Sequence, residues 1–265
     1  MPRRSKRTKK SRKRPSTYEA STAVVKASVT KNTNESILHP LEPRTPGQEK
    51  FLNAINTKPV VVCDGPAGTG KTFISFGSAL RAYINDKNIL RIVIVRPTIP
   101  AGDEPGLGYL PGTIDDKMAP FMAPILRDSA PLLIKKNTRN PADSRFIERF
   151  GNGNSDYVAN MLSRFDIEIV PLHLMRGRSF HNSFVILDEA QNCKMEDFKM
   201  FLTRIGRQSK VVIEGDATQT DRTGKAALPE LMARLEGMDV VECIQLTGDD
   251  IIRNPMISDI IERLK

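Results

Sequence analysis

One eight-residue segment constrains the fold of this chain more than any other. Residues 65–72 read GPAGTGKT, which fits the pattern GxxxxGK[ST]. The β-branched run VVVC precedes it at 60–63, and a helical pattern begins at Lys71. Glycines let the backbone curl around phosphate groups, while the loop N–H groups and the helix N-terminus face the anion. The segment therefore predicts a phosphate-binding loop between a buried strand and a helix.

Each residue of this loop is a predicted nucleotide contact. Lys71 supplies a cation for the β- and γ-phosphates, and the Thr72 hydroxyl is expected to bind Mg²⁺. No NKxD-type guanine motif occurs, so ATP is the expected nucleotide. The predicted contacts are Gly65, Pro66, Ala67, Gly68, Thr69, Gly70, Lys71 and Thr72.

The rest of the chain alternates short apolar runs with helical patterns. This alternation implies an α/β fold with a mostly parallel sheet covered on both faces. We predict strands at 60–63, 92–95, 167–170, 184–188, 210–214 and 240–246. We predict helices through 51–55, at 71–84, 194–206 and 226–236, and near 115–128, 143–150, 155–164 and 255–264.

Two further strands are predicted to end in polar residues. The run FVIL at 184–187 precedes Asp188 and Glu189. Asp188 is expected to hold Mg²⁺, and Glu189 to polarise a water for attack on the γ-phosphate, which favours hydrolysis over transfer. The run VVI at 211–213 leads to Asp216 and Gln219, which we interpret as a loop anchor and a γ-phosphate sensor. Taken separately, these segments also fit a solvated acidic strand end and a simple turn.

Several single residues are weaker candidates. Gln48 precedes an amphipathic helix and is a candidate for the adenine edge, because its amide both donates and accepts. Arg176 and Arg178 flank a glycine, and with Arg96 and Arg204 they are candidate nucleic-acid contacts. Each also fits a plain surface position. Near the C-terminus, Arg253 is a candidate γ-phosphate contact, in cis or from a neighbouring subunit, or an ion-pair partner of Asp249 or Asp250.

The positive charge of the chain is concentrated at its start. Residues 1–17 hold nine basic and no acidic side chains, and the other 31 basic residues balance the 31 acidic ones. We expect a disordered basic tail and linker over 1–40 and the globular domain over 41–265. The tail fits either an electrostatic tether for nucleic acid or a solubilising segment.

Composition argues against other classes of protein. No apolar run approaches the ~20 residues that a membrane span needs, and no apolar stretch follows the basic start as in a secretory signal. The three cysteines lack CxxC spacing, and the three histidines form no metal-ligand pattern. We expect a cytoplasmic protein without a disulfide framework or zinc site.

Taken in order, these segments resemble the PhoH family, especially the short PhoH-like ATPases of bacteria and phages. The resemblance covers about 41–262 and rests on TPGQ at 45–48, GPAGTGKT, LGYLPG at 107–112, MRGRSF at 175–180, VILDEAQN at 185–192, GDATQTD at 215–221 and DDIIRN at 249–254. It implies a RecA-like core, ATP hydrolysis, a hexameric ring and RNA, rather than DNA, as the expected partner. Asn254 departs from the family pattern, which usually has His there.

The resemblance aligns Lys71 and Thr72 with the phosphate loop, Asp188 and Glu189 with the metal and water-activating pair, and Gln219 and Arg253 with phosphate-sensing positions. The predicted function is a nucleic-acid-stimulated ATPase with a helicase-like mechanism. The alternative is a nucleic-acid-binding adaptor whose nucleotide site turns over slowly. A small-molecule kinase is the third hypothesis, and it leaves RGRS and GDATQ without a role.

Overall fold

In the computed structural model of the protein, every pair of neighbouring strands is parallel. The structure describes residues 38–97, 125, 129–134, 164–219, 226–252 and 263, all within the unit Asn32–Lys265. Over these ranges the strands are β1 (Val60–Asp64), β2 (Arg91–Arg96), β3 (Ile167–Pro171), β4 (Ser183–Leu187), β5 (Lys210–Gly215) and β6 (Val241–Gln245). Their order across the sheet is β3-β2-β4-β5-β1-β6.

Helices connect these strands. Within the described ranges the α-helices are α1 (Pro46–Thr57), α2 (Lys71–Asn85), α3 (Ala130–Leu133), α4 (Met195–Leu202) and α5 (Ala227–Leu235), with 3₁₀ turns at Leu172–Met175, Ala190–Asn192 and Gly248–Asp250. The side chain of Thr45 caps α1 by accepting a hydrogen bond from Gln48 N at 3.2 Å. No helix of the described part is long and apolar enough to cross a membrane.

Alternate residues of the strands pack against opposite layers of helices. On β2, Ile92 and Ile94 belong to the core that includes Phe51 of α1 and Phe76 of α2. Val93 and Val95 belong to the second core, which includes Phe198 and Phe201 of α4 and Leu228 of α5. Because both faces of the sheet are buried, the strands read as continuous apolar runs. The molecule is a three-layer α/β sandwich with a parallel sheet, as the sequence predicts.

The strand order positions the site. β5 lies between β1, which leads into the phosphate loop, and β4, which leads into Asp188 and Glu189. In a parallel sheet all carboxyl ends share one edge, where ligands bind. The three polar segments that follow β1, β4 and β5 therefore meet at one place.

All six predicted strands are confirmed, each to within one residue at either end. The prediction for α4 was wrong at its end, because the helix stops at Leu202 rather than at 206. Beyond it Ile205 pairs with Phe180 in a parallel bridge, and Gly206 N donates to Phe180 O at 2.7 Å. This pairing with the segment before β4 competes with another helical turn. The helices predicted near 115–128, 143–150, 155–164 and 255–264 fall almost wholly outside the described residues, as does the tail.

Candidate active site

The phosphate loop is a backbone cradle held from two sides. Gly68 and Gly70 have φ of 87° and 80°, a conformation that favours glycine. Ala67 N donates to Asp216 Oδ2 at 2.9 Å, and the Gln48 amide nitrogen donates to Thr69 O at 2.9 Å. The loop is therefore shaped by its glycines and fixed by side chains that are distant in sequence.

Lys71 lies against the loop that it follows. Its Nζ donates to Gly65 O at 2.6 Å and to Pro66 O at 2.9 Å. Thr72 is the second residue of α2, so its hydroxyl lies at the amino end of the helix, where anions are stabilised. The ammonium, the helix end and the loop N–H groups together form a site for a phosphate chain.

Asp188 and Glu189 share one arginine. Arg96 Nε lies 3.0 Å from Asp188 Oδ2, and Arg96 Nη2 donates to Glu189 Oε1 at 2.7 Å. Burial raises the pKa of Asp188 to about 6; Arg96 opposes this rise and Glu189 adds to it. The arginine that the sequence assigned to nucleic acid thus lies, in this conformation, between the carboxylates of the candidate active site.

Glu189 is held in an uncommon backbone conformation. Its φ of 56° and ψ of 39° lie in the left-handed region, which only a few per cent of non-glycine residues adopt. Gln191 Nε2 donates to Glu189 Oε2 at 2.6 Å, and the Glu189 side chain remains 42% exposed. The carboxylate is oriented by two partners and is still open to solvent.

Gln191 connects two of the polar segments. Besides bonding Glu189, its Oε1 accepts a hydrogen bond from Asp216 N at 3.0 Å. Asp216 in turn binds Ala67 of the phosphate loop, and its Oδ1 accepts from Thr218 N at 3.0 Å. Asp216 is therefore a loop anchor, as interpreted from the sequence. The exposed Gln219 donates its backbone N–H to Asp216 O at 2.9 Å.

Glu214, a fully buried carboxyl on β5 beside the phosphate loop, is not among the residues predicted from the sequence. Ser75 Oγ of α2 hydrogen-bonds its Oε2, and the Thr72 side chain also interacts with it. Burial, followed by the charge of Asp188, raises the pKa of Glu214 to about 8. The sequence did contain a usable signal. Ile213 and Glu214 are consecutive in a strand, so their side chains point to opposite faces of the sheet, and that of Glu214 lies on the face covered by α2. Gln191, the other site residue that was not predicted, had no sequence pattern that would have singled it out.

Gln48 is buried and bonded at both ends of its amide. Besides the bond to Thr69, its Oε1 accepts from Arg44 N at 2.8 Å. The preceding turn is held by Asp250, whose Oδ1 accepts from Thr45 Oγ1 at 2.5 Å and from Gly47 N at 3.2 Å. Burial opposes ionisation of Asp250, but hydrogen bonds from Thr247, Thr45 and Gly47 lower its pKa. Gln48 thus supports the loop directly.

Arg253, the candidate γ-phosphate contact, lies outside the described residues, and so does Asn254. The residue before them is described. Ile252 N donates to Gly68 O at 3.1 Å. The chain therefore reaches the phosphate loop immediately before Arg253.

Arg178 lies away from this site. Arg178 forms an ion pair with Glu168, and its guanidinium lies 4.8 Å from the centre of the Phe180 ring. Arg91, the first residue of β2, lies over the same ring at 5.3 Å. These contacts are near the amino ends of β2 and β3, whereas the phosphate loop follows a carboxyl end. Arg176 is exposed after the 3₁₀ turn Leu172–Met175, whereas Arg204 after α4 is half-buried.

A glycine loop with a lysine at the start of a helix, next to a strand-end Asp-Glu pair in a parallel sheet, defines a P-loop NTPase fold. A profile of the family described as PhoH-like protein matches residues 40–265. The chain belongs to the PhoH family, which confirms the resemblance seen in the sequence.

Curated relatives carry the same description. The PhoH-like protein of Mycobacterium tuberculosis H37Rv is 34% identical over 224 residues, 84% of this chain and 57% of that protein. Protein PhoH of Escherichia coli K12 is 34% identical over 219 residues, 82% of this chain and 56% of that protein. The chain thus spans a little over half the length of these relatives.

Solved structures show a more distant similarity. The large terminase of a thermophilic bacteriophage in complex with ADP has a TM-score of 0.49 and 12% identity, covering 84% of this chain and 50% of that chain. Bacteroides Pif1 bound to ssDNA has a TM-score of 0.32 and 18% identity, covering 82% of this chain and 45% of that chain.

Proposed function

We propose that this protein binds ATP with Mg²⁺ and hydrolyses it. The observation that supports hydrolysis most directly is the arrangement of Glu189. Its carboxylate is oriented by Arg96 and Gln191, follows the buried Asp188 and is open to water. A kinase would instead need an acceptor site here for a second substrate.

The residues present fit a magnesium–nucleotide complex. Mg²⁺ prefers oxygen ligands and usually keeps several waters, so it needs few protein ligands. The described residues hold no cluster of three or more His, Cys, Asp or Glu side chains for a metal. The Thr72 hydroxyl and the Asp188 carboxylate would hold the ion together with phosphate oxygens. When bound, the ion neutralises charge on the phosphates.

The chain's own residues carry the reaction. Glu189 orients a water and takes its proton as the water oxygen attacks the γ-phosphorus. The bond from the γ-phosphorus to the bridging oxygen breaks, releasing ADP and inorganic phosphate. Lys71, now bonded to loop carbonyls, exchanges these for phosphate oxygens and stabilises their negative charge. Gln219 and Arg253 are further proposed γ-phosphate contacts. Gln48 is the proposed adenine contact, a role that requires its amide to release Arg44 N or Thr69 O.

Two variants test this proposal. Glu189→Gln removes the base and keeps the shape, so turnover should fall by about 10²–10⁴-fold while nucleotide binding persists. Lys71→Ala should weaken binding as well as turnover. The control is Glu168→Gln, the same chemical change at the opposite end of the sheet. Turnover by Glu189→Gln close to that of wild type would contradict the assignment.

We further propose that nucleic acid, RNA rather than DNA, stimulates the ATPase and that the protein acts as a homo-oligomer, a hexamer being the family expectation. A RecA-like lobe leaves its nucleotide exposed on one side, which a neighbouring subunit would cover. The test measures ATPase rate against RNA and DNA strands and oligomer mass on the same sample. Absence of stimulation by every polynucleotide would refute the helicase-like form.

A second candidate, an adaptor with slow turnover, is favoured by one observation. Arg96 pairs with the buried Asp188 as well as with Glu189, so this arginine must leave Asp188 before that carboxylate can hold a metal. The adaptor would be supported if the protein binds ATP but its hydrolysis rate with RNA equals the background rate. A rate that falls in Glu189→Gln would support the enzyme.

A further inference from the structure

Only one of the two carboxyl oxygens of Glu214 has a hydrogen-bond partner within the described part of the chain. Oε2 is bonded to Ser75 Oγ, whereas the buried Oε1 has no hydrogen-bond partner there. Leaving a buried polar atom unsatisfied costs about 1–3 kcal/mol, and more for a charged group. At a ligand site, an unsatisfied atom is accounted for if the bound ligand supplies the missing hydrogen bond.

The register of the sheet directs Glu214 to the nucleotide. Leu187 of β4 pairs with Ile213 of β5, so the next residues along, Asp188 and Glu214, are neighbours. On the other side Glu214 pairs with Cys63, just before the phosphate loop. The charges of Asp188 and Lys71 both act on the Glu214 carboxyl. Glu214 thus lies beneath the point where the proposed metal ligands converge.

A purely structural role does not account for a carboxyl at this position. Its bonded partner, Ser75 Oγ, also has the backbone acceptor Lys71 O at 3.0 Å, as is common for a serine within a helix. Ser75 therefore does not need a carboxylate. A carboxyl buried between apolar strands is unfavourable unless charge is supplied nearby.

We propose that Glu214 is a positioning residue of the metal–nucleotide site. Its Oε2 fixes the first turn of α2 through Ser75, and its Oε1 accepts a hydrogen bond from a water on the Mg²⁺ that accompanies the nucleotide. An interaction of Thr72 with Glu214 would turn the hydroxyl proton away from the ion and leave the oxygen lone pairs to bind it. Outer ligands of this kind orient the inner ones. The inference rests on the proposed binding of Mg²⁺ and nucleotide.

The test separates metal from nucleotide. Binding of fluorescently labelled ADP is measured in EDTA and across a Mn²⁺ titration, with bound Mn²⁺ followed by electron paramagnetic resonance. Glu214→Gln should raise the Mn²⁺ concentration for half-saturation about tenfold and leave the affinity in EDTA nearly unchanged. Glu168→Gln is the matched control and should change neither value.

Each outcome bears on a different claim. If the half-saturation of Glu214→Gln equals that of wild type, or if its affinity falls equally with and without Mn²⁺, the role of Glu214 is refuted. Glu214→Asp keeps a carboxyl group but withdraws its oxygens by one methylene. It should show the same metal-specific loss, which keeps the proposal testable if the Gln variant fails to fold. A wild-type protein that binds no labelled ADP in either condition would refute the proposed function itself.

Discussion

Glu214 also makes the stability of the folded chain depend on pH, and the change Glu214→Gln isolates this effect. Its folded-state pKa is about 8, against an ordinary value of 4.5, mainly because burial disfavours the charged form. Below pH 4.5 the carboxyl is protonated in both the folded and the unfolded chain. As pH rises toward 8 the unfolded chain loses this proton first, so the free energy of unfolding falls.

The magnitude follows from the interval between the two pKa values. Each pH unit corresponds to about 1.36 kcal/mol, which gives a ceiling of about 5 kcal/mol. Water that enters around the ionised carboxylate reduces this, so we expect about 2–3 kcal/mol. Glutamine does not ionise. Glu214→Gln should therefore approach the wild type in stability near pH 5 and exceed it by this amount at about pH 9.

Urea unfolding from about pH 5 to about pH 9, with EDTA and without nucleotide, measures the effect. Glu168→Gln is the control, because that carboxyl is partly exposed and paired with Arg178. Its unfolding free energy should follow that of the wild type over the whole range. Parallel pH profiles for Glu214→Gln and the wild type would refute the reasoning, as would a variant less stable than wild type at the alkaline end.

Three further predictions concern other parts of the chain. Gly215→Ala should lower the free energy of unfolding by about 1–3 kcal/mol, because the added Cβ would lie 2.8 Å from Gln191 N; unchanged urea unfolding would contradict this. Arg176→Gln should weaken RNA binding in filter assays more than Arg178→Gln, because Glu168 already neutralises Arg178; the reverse order would contradict the structure. Deleting residues 1–16 should flatten the salt dependence of RNA binding, at roughly 0.7 in log–log slope per lost phosphate contact, and leave basal ATPase unchanged; a large loss of turnover would assign the tail to the catalytic machinery.

The parts of this molecule that sequence predicts well are set by local rules. The strands were located because burial on both faces requires unbroken apolar runs, of which Ile92–Val95 is an example. The phosphate loop was located because its glycines and lysine occupy neighbouring positions. Asp188 and Glu189 were located because they follow a strand directly. In each case the signal and the structure lie within one short segment of the chain.

The remaining features depend on which strands become neighbours. Arg96 meets Asp188 only because β2 and β4 are adjacent, although a long stretch of chain separates these two strands in sequence. Gln191 reaches Asp216 because β4 and β5 are adjacent. The early end of α4 likewise reflects pairing of Ile205 with a segment before β4. Such contacts follow from sheet order, which alternation alone does not determine.

The hydrogen bond from Ile252 N to Gly68 O links the backbone at Ile252 to the state of the phosphate loop. A phosphate chain bound in the loop would change how tightly the Gly68 carbonyl is held, and the exchange rate of the Ile252 amide proton would change with it. Nucleotide occupancy would then be measurable by hydrogen exchange at Ile252, without a label on the nucleotide.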